Sequence, residues 1–309
     1  MRIYHQISEF FSPCHPVATV GVFDGVHLGH MEIIDSLAAK ASEKKCESVV
    51  ITFEPHPRLV LPHHAEVRLL QTIDEKLQRF EISGVDVVLV IPFDREFSKI
   101  TPPDFIKTVL VDKIQVSHVI TGYDHFFGQN RQGDFDLLSQ MGQQYNFTVD
   151  EMPMVTVGGH TVSSSSVRRA LLDGDVLHAA TMLGYAYTMK GEVVTGNKIG
   201  RNIGYPTANL KPDSPYKLIP GQGVYATLVN VNGQSYKGMT NIGYRPTIDA
   251  DRLTIEANIF DFNEDIYSQD ITLSFVERIR NEKRFGSLGD LQQQLANDKI
   301  TAGQLLESL

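Results

Sequence analysis

Val17-Ala-Thr-Val-Gly-Val-Phe-Asp-Gly-Val-His-Leu-Gly-His30 sets the reading of the first half of the chain. Residues 17–23 form a short apolar run that ends in Asp-Gly, the pattern of a buried strand and the turn that stops it. Residues 31–45 follow with helical spacing, and Ile33, Ile34, Leu37 and Ala38 fall on one face. The alternation continues outward. Residues 48–53, 86–91, 118–121 and 147–151 read as strands, and residues 76–82, 103–111 and 135–145 as helices, the second opened by Pro103 in its first turn. Repeated β-α-β units imply an α/β domain with a doubly wound parallel sheet covered by helices on both faces. Ligands then belong at the carboxyl ends of the strands, near a topological switch point.

The second half changes character near residues 184–190. Residues 190–194, 224–231, 235–242, 254–260 and 271–276 are short strand-like runs punctuated by Gly, Pro, Asn and Asp, which predicts an antiparallel barrel. Residues 288–306 read as a closing helix, with Leu288, Leu291, Leu295 and Ile300 along one side. Residues 173–183 read as the bridge, so the expected domains are 1–183 and 184–309.

The chain has 309 residues, enough for about two domains, and its 42% apolar content supplies two packed cores. The formal net charge of −9 argues against a face for long nucleic acid and leaves room for a local pocket that takes a small anion. Cys14 and Cys46 form no CxxC pair, which reads as two reduced thiols of a cytoplasmic protein. Residues 1–10 lack the apolar region of a signal peptide, and the longest apolar run, residues 87–91, is far short of the ~20 residues that span a bilayer. The expectation is a soluble cytoplasmic protein with neither membrane nor nucleic-acid partners.

Within Gly21–His30, Gly25 and Gly29 let the backbone pass close to a ligand. The helix that starts near His30 offers unpaired N–H groups and a positive dipole end, which suit phosphate. His27 and His30, three apart, point to one side of the first turn and are placed to stabilise charge on a phosphoryl group under attack. A zinc pair would call for i, i+4 spacing with a glutamate between, which this segment lacks. Phe53-Glu-Pro-His-Pro57 makes a stiff loop at a strand's carboxyl end. In Ser163-Ser-Ser-Ser-Val-Arg-Arg169, serine is a ready helix cap. Arg168 at a helix start opposes the dipole unless an anion sits between, so it is a candidate phosphate ligand.

A second motif runs from Gly191 through Gly196-Asn-Lys-Ile-Gly-Arg201 to Pro206-Thr-Ala-Asn209. Gly196 and Gly200 make a flexible loop that carries Lys198 and Arg201, suited to covering phosphates. Thr207 and Asn209 add two hard oxygen donors of the kind Mg²⁺ takes. A Gly-rich hairpin with a Pro-initiated turn would show the same composition, and no Walker A ending is present. Glu256 sits in a strand whose neighbours Ile255 and Ala257 face the other way, so it is expected to point into the barrel mouth.

In order along the chain, Gly21–His30, Phe53–Pro57, Gly122-Tyr-Asp-His-Phe-Phe-Gly128 and the segment 162–168 resemble the adenylyltransferase module of prokaryotic bifunctional riboflavin kinase/FAD synthetases. Pro206–Asn209, Gly223-Val-Tyr225, Asn241-Ile-Gly-Tyr-Arg-Pro-Thr247, Ile255-Glu-Ala-Asn-Ile-Phe-Asp-Phe262 and Arg280-Asn-Glu-Lys-Arg-Phe285 resemble its kinase module. The resemblance implies a six-stranded barrel in the second half. It also implies that His27 and His30 contact ATP phosphates, and that Gly21, Phe23, Asp24, Gly29, Ser164, Ser165 and Arg168 line the same site. His56, Pro57, Asp124 and Phe126 would border a flavin or nucleotide pocket, as would Asn241 and Arg245 in the second module. Thr207 and Asn209 would bind Mg²⁺-ATP, with Gly196, Lys198, Gly200 and Arg201 over the phosphates, and Glu256 would be the base. Riboflavin, FMN, FAD and ATP are the implied small-molecule partners. The chain departs from many relatives at Val22 (Asn), His125 (Phe), Ser165 (Thr) and Asn258 (His).

Two other enzyme classes share part of this pattern. An adenylyltransferase for nicotinate mononucleotide or phosphopantetheine leaves the second half without a role, and a class I aminoacyl-tRNA synthetase calls for a Lys-Met-Ser-Lys-Ser run that the chain lacks. A non-catalytic flavin carrier has no need of the base.

Overall fold

The computed structural model describes residues 1–61, 67–124, 126–129, 132–196, 200, 203–245 and 252–307. Two compact units divide between Ser164 and Ser165.

The first unit is built on six parallel strands: β1 (Arg2–Tyr4), β2 (Val17–Val20), β3 (Ser48–Glu54), β4 (Val87–Pro92), β5 (His118–Gly122) and β6 (Thr148–Met152), in the order β1-β4-β3-β2-β5-β6. Every residue of β2 is buried. That is why residues 17–20 read as a continuous apolar run: helices cover both faces. On one face Val17, Val50 and Val88 pack with Ile34, Leu37 and Phe80 of α1 (Leu28–Lys44) and α3 (Ile73–Ile82), α2 being the single turn Pro57–Val60. On the other, Ala18, Val49, Ile51 and Leu89 pack with Val109, Leu110 and Leu138. These come from α4 (Pro102–Phe105), continued as a π-wound stretch Ile106–Ile114, and from α5 (Phe135–Tyr145). The doubly wound α/β expectation holds.

Three differences have local causes. The edge strand β1 has only three residues and no fully buried position, so it carries no alternation to detect. α1 starts at Leu28 because His27 caps it, and α3 starts at Ile73 because Thr72 and Glu75 form a capping box. A small hairpin, β7 (Thr156–Val157) with β8 (His160–Thr161), precedes α6 (Ser164–Leu172).

The second unit is a closed antiparallel barrel of β9 (Tyr187–Val194), β10 (Ala208–Pro212), β11 (Gly223–Val231), β12 (Gln234–Arg245), β13 (Arg252–Ile259) and β14 (Asp270–Arg280), ordered β10-β13-β12-β11-β14-β9. Asn232 and Gly233, both at positive φ (51° and 85°), make the two-residue turn that joins β11 to β12 with the strands' own twist. Tyr187, Tyr225 and Phe275 fill the interior, with ring centroids 5.5–6.3 Å apart. α8 (Leu288–Leu305), capped by Ser287, lies outside on β11, β12 and β14, where Ala302 and Leu306 meet Val224, Ala226, Met239 and Phe260.

The segment read as a bridge, residues 173–183, is itself packed. α7 (Val176–Leu183) buries Val176, Ala179, Met182 and Leu183 and lies on β14 and β9. A strand was also missed: β10 is short and follows the Pro206 turn, so it reads as loop.

One buried ion pair ties α8 to the barrel. Arg280 donates from Nε to both oxygens of Asp298 (3.0 Å each) and from Nη2 to Oδ2 (2.7 Å), and Gln294 adds a bond to Oδ1 (2.9 Å). Asp298 is 1% exposed. Breaking such a pair leaves a charge buried without its counterpart, a loss of about 3–5 kcal/mol. Asp298→Ala is expected to lower barrel stability by roughly 3 kcal/mol in urea unfolding, and a midpoint equal to wild type would refute the assignment.

Candidate active sites

β2 delivers the loop of residues 21–27 to the carboxyl edge of the first sheet, and β3 and β5, its neighbours, deliver Glu54–His56 and Tyr123–Asp124 to the same edge. The chain leaves β2 toward β3 on one side, while β5 enters on the other. The loop therefore stands at the topological switch point.

The loop's backbone is fixed from below. Gly21 N–H donates to the Ile51 carbonyl (3.0 Å). The Val22 carbonyl accepts from Lys76 Nζ (2.7 Å) and Thr52 Oγ1 (3.2 Å). Lys76 is buried, and burial pulls its pKa below the usual lysine value against the opposing pull of Asp24 and Glu54. Asp24 is also buried. Its carboxylate accepts from the backbone N–H groups of Leu70 (3.0 and 3.2 Å) and Gln71 (3.2 Å), while its carbonyl accepts from Ser164 Oγ (2.8 Å). Phe23, at φ +51°, turns its ring under Gly21, where a Cβ would come within 2.9 Å of it.

His27 caps α1: its Nδ1 accepts from His30 N–H (3.3 Å), which leaves the ring proton on Nε2. The two imidazoles stack, with centroids 3.6 Å apart at 14°. Phe23 meets His30 edge-on at 5.1 Å. His30 Nδ1 is buried with no hydrogen-bond partner among the described residues. Burial holds the His30 pKa well below its ordinary value, and His27 and Lys76 add to the effect. Gly29 keeps the way clear, since a Cβ there would stand 3.3 Å from the His27 ring.

The remaining first-module residues lie on three other segments. His56 is buried and caps α2 at Pro57, its Nδ1 accepting from Arg58 N–H (3.0 Å). Asp124 and Phe126 are exposed on the loop after β5, and His125 lies outside the described residues. Ser164 opens α6, in which Ser165 and Arg168 follow within the first turns.

In the barrel, register assembles the second site. Glu256 of β13 pairs with Asn209 of β10 on one side and Asn241 of β12 on the other. Directly opposed residues share a face. Ile255, Ala257 and Ile259 are the buried, inward residues of β13. Glu256 therefore points to the outer face of the barrel, not into its mouth as expected from the sequence. Thr207 Oγ1 approaches Glu256 Oε2 (3.4 Å) and Thr254 Oγ1 approaches Oε1 (3.2 Å). Thr254 is the contribution that sequence reading missed.

Gly196 lies against the Asn209 amide: a Cβ there would fall 2.6 Å from Asn209 Cγ. Gly200 accepts from Ile203 N–H (3.2 Å) and Tyr205 N–H (2.8 Å), closing a turn just before Thr207. Asn258 donates to the Pro206 carbonyl (2.7 Å), which sets the start of the same segment. Lys198 and Arg201 lie outside the described residues, as does the side chain of Arg245 at the end of β12. Among the described residues no three His, Cys, Asp or Glu side chains gather as a metal-ligand group. The Thr207 hydroxyl and Asn209 amide instead form a sparse hard-oxygen pair. That fits Mg²⁺, which keeps water and phosphate oxygens for its other positions.

A buried histidine whose pKa is depressed on folding contributes stability that is complete above the unfolded value of ~6.5 and is lost as pH falls through that value toward the folded one. The first unit is therefore expected to lose stability between pH 7 and 5, and His30→Asn to flatten that slope. Urea midpoints across this range measure it, and parallel slopes for the two proteins would rule out the burial of a neutral imidazole.

The family described as FAD synthetase matches residues 12–166, and the family described as riboflavin kinase matches residues 183–306. Proteins named bifunctional riboflavin kinase/FMN adenylyltransferase are similar along nearly the whole chain. The one from Listeria monocytogenes is 35% identical over 96% of this chain and 95% of its own. That of Escherichia coli K12 is 37% identical over 93% and 91%. That of Pseudomonas fluorescens is 38% identical over 99% and 97%. The crystal structure of a macrolide-efflux protein from Streptococcus pneumoniae superposes with a TM-score of 0.87 at 29% identity, covering 97% of each chain. Two matching modules in one polypeptide, and relatives matched over 91–97% of their length, place the chain in the family of bifunctional riboflavin kinase/FMN adenylyltransferases.

Proposed function

We propose that the barrel phosphorylates riboflavin and that the histidine loop of the first unit adenylylates the product. The chain uses ATP twice: riboflavin becomes FMN with release of ADP, and FMN becomes FAD with release of pyrophosphate. The observation that carries the reading is Glu256, fixed between Asn209 and Asn241 on an outer barrel face with a threonine hydroxyl at each carboxylate oxygen.

In the kinase step, Glu256 accepts the proton of the riboflavin 5′-hydroxyl as its oxygen bonds to the γ-phosphorus, and the bond to ADP breaks. Asn241 on the neighbouring strand lines the same face. Thr207 and Asn209 would hold Mg²⁺, which when bound offsets charge on the ATP phosphates. Gly196 and Gly200 let the loop lie close, and Lys198 and Arg201 belong over the phosphates.

In the second step, an FMN phosphate oxygen attacks the α-phosphorus of ATP and pyrophosphate departs. His27 and His30 at the α1 N-terminus donate toward the transferring group. The buried Nδ1 of His30 and the dipole of α1 support this role. Gly21 and Gly29 give the triphosphate access, and Ser165 and Arg168 of α6 grip it. Asp24 and Phe23 shape the loop from beneath. His56, Pro57, Asp124 and Phe126 border the flavin and adenine. The reading assigns the chain to the cytoplasm, in keeping with the free thiols Cys14 and Cys46. Among the described residues no helix is long and apolar enough to cross a membrane.

Incubation of the purified chain with riboflavin, ATP and Mg²⁺, followed by separation of the flavins, tests the whole reading; failure to form FMN and FAD would overturn it. Chelation of the divalent ion is expected to stop both steps. Glu256→Gln is expected to cut FMN formation about 10²–10⁴-fold while FMN adenylylation survives, and equal loss of both would argue against separate sites. His30→Ala is expected to cost about 10²–10³ in FAD formation with the kinase near normal. Arg168→Ala is expected to raise the ATP requirement of the second step alone.

A further inference from the structure

We propose that Cys14 and Cys46 form a dithiol site in the first unit, which a small disulfide such as glutathione disulfide oxidises to a reversible bridge between them. Neither step of the proposed chemistry uses these thiols, so the inference stands apart from it.

The two cysteines are brought together by the parallel pairing of β2 with β3. Val17 pairs with Ser48, and Val17 N–H donates to the Glu47 carbonyl (3.0 Å). Cys14 runs into one strand just as Cys46 runs into the other, and the two side chains lie beside each other there. They are the only cysteines of the chain, and each is half-buried, within reach of a small reagent. Both backbones are pinned. Lys45, at φ +53°, ends α1 in the left-handed conformation, and Cys46 N–H donates to the Ala41 carbonyl (2.9 Å), which closes a Schellman cap. On the other side Ser12 Oγ donates to Glu47 Oε2 (2.8 Å) and lies 3.6 Å from Cys14 Sγ, while Arg2 pairs with the same carboxylate.

Burial, and then the hydrogen bond with Cys14, push the Cys46 thiol up to about 11. A thiol that ionises so late is a slow nucleophile, so Cys14 opens the exchange. Its thiolate attacks one sulfur of glutathione disulfide, and one glutathione leaves as thiolate. Cys46 then gives up its proton and attacks the Cys14 sulfur, expelling the second glutathione. Two protein thiols are oxidised, one small disulfide is reduced, and the two protons end on the two glutathiones. The reluctance of Cys46 to ionise slows closure but favours the closed form at equilibrium, because no stabilised thiolate at Cys46 is given up. The bridge would tie residues 14–46 into one covalent loop. That loop holds β2, residues 21–27 and α1, so the segment that carries His27 and His30 would be fastened at its entry and its exit.

The purified full chain, equilibrated in glutathione redox buffers and then blocked with an alkylating agent, tests this by peptide mass mapping. The expected product is a pair of peptides joined through Cys14 and Cys46, lighter by two hydrogens and separated again by reduction. Cys14→Ser and Cys46→Ser should each form none. Amide hydrogen exchange of β2 and α1 is expected to slow about tenfold or more when the wild type is oxidised, and to stay unchanged in Cys46→Ser in the same buffer. Glutathione adducts without a bridge, bridges between two molecules, or two thiols still open to alkylation would overturn the proposal. So would a bridged protein whose β2 and α1 amides exchange no more slowly, since the bridge would then strain the fold that is supposed to hold the thiols together.

Discussion

Glu256 stands opposite Asn209 on one neighbouring strand and Asn241 on the other, and a slip of one residue along β13 would turn it into the barrel. The register is held from the inside. Ile255, Ala257 and Ile259 occupy the core, so the alternation that buries them obliges Glu256 to face out. Closure of the sheet then leaves no edge along which β13 could shift without breaking pairs on both sides. Glu256 is thus oriented by packing, with the Thr207 and Thr254 hydroxyls against its carboxylate.

The first unit fixes its loop by a different route. There the loop of residues 21–27 must bend through positive φ at Phe23, Gly25 and Val26, a conformation that needs support. The support is polar and buried. Lys76 and Thr52 share the Val22 carbonyl, and Asp24 takes two amide protons from residues 70–71. Each contact satisfies a group that burial would otherwise leave costly. Together they hold His27 where it can cap α1 and stack on His30.

These two routes explain what was legible in the sequence. Buried parallel strands announce themselves as apolar runs, and Asn232-Gly233 announces a tight hairpin, so sheet and barrel were readable from local pattern. The segments Gly21–His30 and Pro206–Asn209 stood out because small and polar residues interrupt those patterns. Lys76 did not stand out. A lysine on a helix reads as solvent-facing, and only tertiary contact shows it buried against Val22. α7 was read as a bridge because its packing partners, β9 and β14, come together beneath it only when the barrel closes. The outward face of Glu256 follows from its apolar neighbours Ile255, Ala257 and Ile259, whose burial the sequence reading did not weigh.

The contrast between the sites follows from their nucleophiles. The kinase must activate a neutral primary hydroxyl, a poor nucleophile that has to lose its proton as it attacks, and its site presents a carboxylate beside hard oxygen donors. The adenylyltransferase uses a phosphate that is already ionised near neutral pH, so no base is required. A free carboxylate there would repel both the FMN phosphate and the triphosphate. The carboxylate closest in the loop, Asp24, is accordingly turned away into backbone hydrogen bonds at Leu70 and Gln71. The imidazoles of His27 and His30 and the N–H-rich end of α1 stand at the switch point. Burial keeps His30 neutral when no anion is present, which limits repulsion within the stacked pair. In the proposed reading an arriving triphosphate would reverse that balance and favour donation from the ring, so the charge that the site stabilises would be one that the substrate itself brings.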